Sequence, residues 1–255
     1  MKSMIRYVLL TAVRDRLFIG LCAAIALIYG LAIFTGSTAL SEQASMSLVL
    51  FAGASRVVLV IGLIVFACFH VQRAFDYREI ESILAKPISR TVFVAGYASG
   101  FSLLSIMMLI PVLLILLTFP GLHMAGLIWW AISAVLEIAM VVIFALLAAL
   151  VLQNAFNAVL ASTGFYIIAR LMGFFMIAIN SPTSMMGEEK WGHALLFALK
   201  MLSTVIPRLD MFAKSEWLLY GVVNAMDVWL FLAQALVFTF LLLAMAIFDL
   251  KRKQF

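Results

Sequence analysis

Residues 73–90 read RAFDYREIESILAKPISR, and they separate two apolar runs, each long enough to cross a bilayer. Wound as a helix, the stretch puts Phe75, Ile80, Ile83 and Leu84 towards one side and Asp76, Arg78, Glu79 and Glu81 elsewhere. Pro87 ends such a helix, because proline lacks the amide hydrogen and disfavours helical geometry in the residue before it. A short charged helix that stands out from a membrane bundle and stops at a proline is suited to docking a soluble partner. A solvated loop that only joins two spans fits the local pattern equally well.

Composition fixes the solvent. Of the 255 residues, 66% are hydrophobic and 11% are charged, and the mean hydropathy is +1.19. A soluble domain carries about a quarter of its residues charged, so this chain belongs in lipid. A spanning helix takes about 20 residues, and the length accommodates about six with short connections and no separate soluble domain. The net charge of +5 is read by position, since Lys and Arg beside the ends of spans set orientation. No basic cluster combines with exposed aromatics, which argues against nucleic acid as the partner. Cys22 and Cys68 both lie inside apolar runs, without metal or disulfide spacing.

The chain from 1 to 255 is read as one domain. Residues 2–16 mix Lys2, Arg6, Arg14, Asp15 and Arg16 with apolar residues and fit a helix lying at the membrane surface. Spans are expected at about 17–35, 48–70, 92–119, 127–152, 158–180 and 227–249. Pro111 falls inside the third, which a spanning helix tolerates where neighbours satisfy the freed carbonyl. Thr35–Ser47 is read as a polar connection. Between spans five and six, Ser181 to Met226 is not plainly polar. Ala194–Ile206 is apolar but interrupted by Lys200, and is read as a re-entrant or interfacial helix broken at Pro207. A seventh span is the rival reading. Lys2, Arg6, Arg14, Arg16, Arg73, Arg78, Lys86, Arg90 and Lys251–Lys253 collect on one side. The positive-inside rule then puts both termini and residues 73–90 in the cytoplasm, which requires an even number of spans.

Three ionisable residues, Arg56, Glu137 and Arg170, interrupt apolar spans. Each costs about 2.5–3.5 kcal/mol at the bilayer centre, so each is expected to face the bundle interior and find a partner. Counted from the span ends, all three lie roughly 12–15 Å below the outer surface at 1.5 Å per residue. That depth allows a Glu137–Arg170 pair between consecutive antiparallel spans, either as a structural tie or as part of a substrate path. His70, His123 and His193 fall at different depths, which argues against a bis-histidine haem site; His70 is expected to be solvated at the cytoplasmic end of span two. The phosphate-cradling GxxxxGK[ST] pattern is absent, as are HExxH and GxSxG. Nothing points to an enzyme or to a bound cofactor or metal.

Two motifs carry a resemblance to the permease subunits of ABC exporters of the ABC-2 type. Glu79-Ile-Glu-Ser-Ile-Leu-Ala-Lys-Pro-Ile-Ser-Arg90 resembles the family's segment after span two. There an acidic residue opens a short helix that ends in two apolar residues, followed by a small residue, a basic residue, Pro, Ile or Val, Ser and Arg. Ile206-Pro-Arg-Leu-Asp-Met-Phe212 is similar to the Pro-Asn-Leu-Asp-x-Phe segment before the last span. The chain departs from the pattern in carrying Glu81-Ser82 near the place of the usual Gly-Thr, and Arg208 in place of Asn. The layout agrees over the whole chain, whereas the motifs cover only about 20 residues. The resemblance implies an all-α bundle of six transmembrane helices with an N-terminal interfacial helix and a re-entrant helical loop before span six. It also implies a cytoplasmic coupling helix at about Phe75–Ala85, seated in a separate ATP-binding subunit that holds the ATP-Mg. Phe75 would begin the coupling helix, Ile80, Ile83 and Leu84 would pack, Arg78, Glu79 and Glu81 would make polar contacts, and Pro87–Arg90 would anchor span three. Pro207, Leu209, Asp210 and Phe212 would be the re-entrant motif. A second permease copy or paralogue, membrane lipids and a bacterial inner membrane follow from the same resemblance. Two alternatives compete. An ion-gradient-driven transporter would show repeats between the halves, and none is visible. A membrane anchor or assembly factor would use the same docking helix without a path.

Overall fold

The computed structural model describes residues 2–39, 42–76, 89–152, 154–180, 201, 206–212, 214–222 and 224–252. These residues form α1 (Lys2–Arg14), α2 (Leu17–Ser37), α3 (Gln43–Asp76), α4 (Arg90–Leu116), α5 (Met124–Val151), α6 (Ala155–Asn180), a 3-10 turn at Leu209–Met211, α7 (Trp217–Tyr220) and α8 (Ala225–Arg252). Among the described residues there is no strand. Six of the helices, α2 to α6 and α8, are long and apolar enough to span a membrane.

Several helices outrun their expected ends. Residues 35–47 were expected to be a polar connection, yet α2 continues to Ser37 and α3 already starts at Gln43. The hydroxyls account for this. Thr35, Ser37 and Ser47 donate to the Leu31, Phe34 and Gln43 carbonyls at 2.8, 2.6 and 2.7 Å, so each polar side chain is satisfied within its own helix. At the far end α3 runs past residue 70 to Asp76. Phe75 is therefore part of the long α3 rather than the start of a separate short helix. Ala194–Lys200, like most of residues 181–205, lies outside the described residues.

Paired contacts fix the directions. Along α3, Arg56, Cys68 and Gln72 meet Glu137, Ala145 and Ala149 of α5 in increasing order, so α3 and α5 are parallel. Glu137 faces Arg170 while Phe144 stacks on Phe165 at 4.0 Å, so α6 is antiparallel to α5. This is the arrangement of successive spans joined by short turns. Helix α5, apolar on every face except at Ser133 and Glu137, sits at the centre, with 72% of its most apolar window buried, against 22% in α2 and in α8. It packs on α3, α4, α6 and α8.

Helix α1 belongs to the bundle. It buries Met4, Val8 and Ala12, one residue per turn, along a single stripe. That stripe meets Gly96 and Gly100 of α4, where a Cβ on glycine would press on Met4 and Val8. The spacing Gly-x-x-x-Gly lets two helix backbones approach closely. At the same end Arg73 pairs with Asp15 at 2.8 Å, and Arg90 donates to the Leu250 and Lys251 carbonyls at 2.8 and 3.1 Å. The N-terminal helix, both flanks of residues 77–88 and the end of α8 thus share one end of the bundle.

His70 is not solvated. It is 3% exposed, and the rings of Tyr7, Phe66, Tyr97 and Phe101 surround it with centroids 5.1–5.9 Å away. The arrival of α1, which brings Tyr7, covers a position that the bare end of a span would have left open.

Candidate functional site

Arg56, Glu137 and Arg170 meet. Arg56 follows the start of α3 by 13 residues and Glu137 follows the start of α5 by the same number, which puts both about 20 Å from the same end of the bundle. Arg170 lies 10 residues before the end of the antiparallel α6, about 15 Å down from that end. Depths within about 5 Å of one another on three neighbouring helices bring the groups together. The expected Glu137–Arg170 pair is present at 3.6 Å, and it is the weaker half of a triad. Arg56 holds Glu137 more closely, and both are sealed, at 1% and 0% exposed, while the Arg170 side chain is 33% exposed.

The segment 206–212 reaches the same depth. Arg56 donates to the Phe212 carbonyl at 3.0 Å. Arg170 donates to the Leu209 carbonyl at 2.9 Å and, more loosely, to that of Phe212 at 3.5 Å. The local sequence explains how the carbonyls come to face the guanidiniums. Pro207 opens the segment, and the 3-10 turn spans only Leu209–Met211. The Leu209 carbonyl accepts the Phe212 N–H at 3.2 Å and keeps its second lone pair for Arg170, while the Phe212 carbonyl lies just past the turn and turns to Arg56. Leu209 and Phe212 are fully buried, so two apolar side chains anchor the segment while its backbone faces the guanidiniums. Asp210 pairs with Arg208 at 3.0 Å and packs where Gly173 of α6 leaves room, since a Cβ there would run into its carboxylate. The motif Pro207, Leu209, Asp210 and Phe212 is thereby brought to the intramembrane charges, a convergence that neither group of residues announces by itself.

From Phe212 the chain climbs to the mouth of the bundle. Phe212 and Trp217 both pack on Phe231 of α8 at 5.7 Å. His123 donates its backbone N–H to the Leu218 carbonyl at 2.8 Å, while its Nδ1 caps α5 by accepting from the Gly126 N–H at 3.2 Å. Gly126 lies directly against the Trp217 carbonyl. The segment 206–222 is thus pinned at its deep end by Arg56 and Arg170, and at its upper end by α5.

Electrostatically the triad carries one positive charge in excess, and the carbonyl dipoles of Leu209 and Phe212 offset part of it. A buried carboxylate between two guanidiniums is positioned to hold α3, α5 and α6 together, and a guanidinium beside it is positioned to hold an anion. Tyr166, one turn before Arg170 on the same face of α6, is 3% exposed, and its hydroxyl has no hydrogen-bond partner among the described residues. Sequence reading missed Tyr166, although its four-residue spacing from Arg170 was visible.

Of the residues expected to couple to a partner, Arg78, Glu79, Ile80, Glu81, Ile83, Leu84 and Pro87 lie outside the described residues. Phe75 packs partly buried on the core, and Arg90 begins α4 against the end of α8. Among the described residues no three His, Cys, Asp or Glu side chains gather as metal ligands would. Compared with known proteins, the chain matches no protein-family model, and no curated protein is significantly similar to it.

Proposed function

We propose that the chain is the membrane-spanning permease subunit of an ATP-driven transporter of the ABC-2 type, an exporter working with a separate ATP-binding subunit. The observation that carries this reading is the descent of Pro207–Phe212 into the bundle, where its carbonyls meet Arg56 and Arg170 about 15–20 Å from the helix ends. That is where a re-entrant segment before the last span belongs in such a permease. Three further features favour it. Six helices are fit to span. An amphipathic helix precedes the first. And α3 projects without a break to Asp76, at the threshold of the charged stretch that would serve as the coupling helix. Because α3 also carries Arg56, a push on the far side of Asp76 would travel along one rigid element for 20 residues, about 30 Å, to the triad. Both termini and residues 73–90 would then face the cytoplasm of a bacterial inner membrane, and a second copy or a paralogue would complete the path.

Co-purification tests the reading. The tagged chain is expressed with the ATPase encoded beside its gene and extracted in mild detergent, alongside a Glu79→Ala/Glu81→Ala/Ile83→Asp variant. Retention of a stoichiometric ATPase by the wild type, and its loss from a folded variant, is the expected result. If neither retains an ATPase, the proposal fails at its centre.

A further inference from the structure

The triad is unevenly shared. Glu137 is held closely by Arg56, and Arg170 stands 3.6 Å off. The excess positive charge therefore resides mainly on Arg170, the one member of the three whose side chain is partly exposed, at 33%. Its compensation by the Leu209 carbonyl at 2.9 Å is dipolar, not ionic. A guanidinium in a dry setting seeks a planar anion that it can grip with two N–H groups. One turn earlier on the same helix lies a second donor, Tyr166. The Tyr166 hydroxyl is buried, unbonded among the described residues, and within electrostatic reach of Arg56. A buried hydroxyl left unbonded costs free energy, and an anion at Arg170 would relieve it. The approach to Arg170 is apolar. Ile167, Ile168, Leu171 and Phe174 on the same helix are 48%, 43%, 46% and 67% exposed. A freely hydrated ion would have to shed its water to pass them, whereas a molecule with an apolar tail would lay the tail along them.

We propose that Arg170 and Tyr166, backed by the Arg56–Glu137 pair, form a binding site for the single anionic headgroup of an amphiphile, a phosphate ester or carboxylate carrying an apolar chain. The Leu209 carbonyl occupies Arg170 in the resting state, and the headgroup displaces it. Binding would thereby loosen the deep anchor of segment 206–212. As a statement about cargo this rests on the transport reading. Binding itself is measured on the chain alone, so either idea can fail without the other.

The test uses the full chain in phosphatidylcholine nanodiscs, titrated calorimetrically with dodecyl phosphate, dodecanol and inorganic phosphate, with empty discs subtracted. Saturable binding of one dodecyl phosphate per chain is expected, at least about tenfold tighter than either control. Arg170→Lys keeps the charge but loses the fork, and is expected to weaken binding about fivefold or more. Tyr166→Phe removes only the hydroxyl, and is expected to weaken binding about threefold without lowering the melting temperature. Dodecanol binding as well as dodecyl phosphate overturns the anionic site, and inorganic phosphate binding as well overturns the amphiphile. Wild-type affinity in both variants shows that Arg170 is a structural contact only.

Discussion

Glu137→Gln is the most revealing single perturbation of this bundle. The substitution keeps the shape and removes one negative charge from between two guanidiniums. Arg56 is 1% exposed, so it becomes a buried charge without its carboxylate, held by the Phe212 carbonyl at 3.0 Å. Breaking a buried pair in this way costs about 3–5 kcal/mol. The Arg170 share is smaller. At 3.6 Å and one-third exposed, that pair is worth at most about 1 kcal/mol. The total falls almost wholly on Arg56, and for a chain of this size it corresponds to a drop in melting temperature of roughly 6–20 °C. Thermal unfolding in mild detergent, followed by circular dichroism, reads it. Arg56→Met/Glu137→Leu removes both charges, and is expected to cost less than Glu137→Gln alone, because no lone buried ion remains. A Glu137→Gln loss under about 1 kcal/mol, or a double variant whose cost equals the sum of its singles, would refute the placement of the triad in a dry interior.

Other perturbations separate the packing contacts. Gly126→Ala drives a methyl group into the Trp217 backbone carbonyl, which cannot rotate away; a loss near the upper part of the 1–3 kcal/mol overpacking range is expected, read as melting temperature. Gly173→Ala presses on the Asp210 carboxylate, which can turn aside, and on its Cβ, which moves only with the backbone; a loss of about 1–2 kcal/mol, smaller than at Gly126, is expected, and the order of the two is the check. Gly100→Val pushes against Val8 and is expected to expose α1 to limited proteolysis while α2–α6 stay protected. In a background without Cys22 and Cys68, cysteines at Asp15 and Lys251 should react with an impermeant maleimide from one side of the membrane, and those at Thr38 and Leu122 from the other. Labelling of Asp15 and Thr38 from the same side contradicts α2 as a membrane span.

The legible part of this fold is the part that hydropathy controls. Six spans follow from apolar runs and length, and α2 to α6 and α8 occupy them. The co-location of Arg56, Glu137 and Arg170 was also legible, because helices of known rise turn sequence position into depth. The sharing within the triad was not. Counting residues ranks depth but not azimuth, and azimuth makes Arg56 the closer partner of Glu137. The ends of helices were misjudged where Ser and Thr occur, since their hydroxyls bond back to the helix and make polar sequence compatible with continued helix. His70 was misjudged for a tertiary reason: Tyr7 of α1 covers it. The Gly96–Gly100 spacing could have announced that close packing, because only a second backbone needs such a groove.

The contact that joins motif to charge was the least legible, and physics explains why. Arg56 and Arg170 hold Leu209 and Phe212 by their carbonyls, groups that every residue possesses and no composition reports. What sequence can encode is the set of conditions around such a contact. Pro207 breaks the helix. Leu209 and Phe212 supply the apolar anchors. Gly173 leaves the gap for Asp210. Each looks ordinary singly, and together they aim two carbonyls at two cations. A membrane interior makes that arrangement stable, because unpaired carbonyls and excess guanidinium charge are both costly there and each offsets the other. It also makes the arrangement exchangeable. A carbonyl gives only a partial charge to a full cation, so any anion that reaches Arg170 competes from a stronger position. On the proposal above, a segment fastened by carbonyls alone would be released when an anion reaches Arg170, which is what a path through the bundle would require.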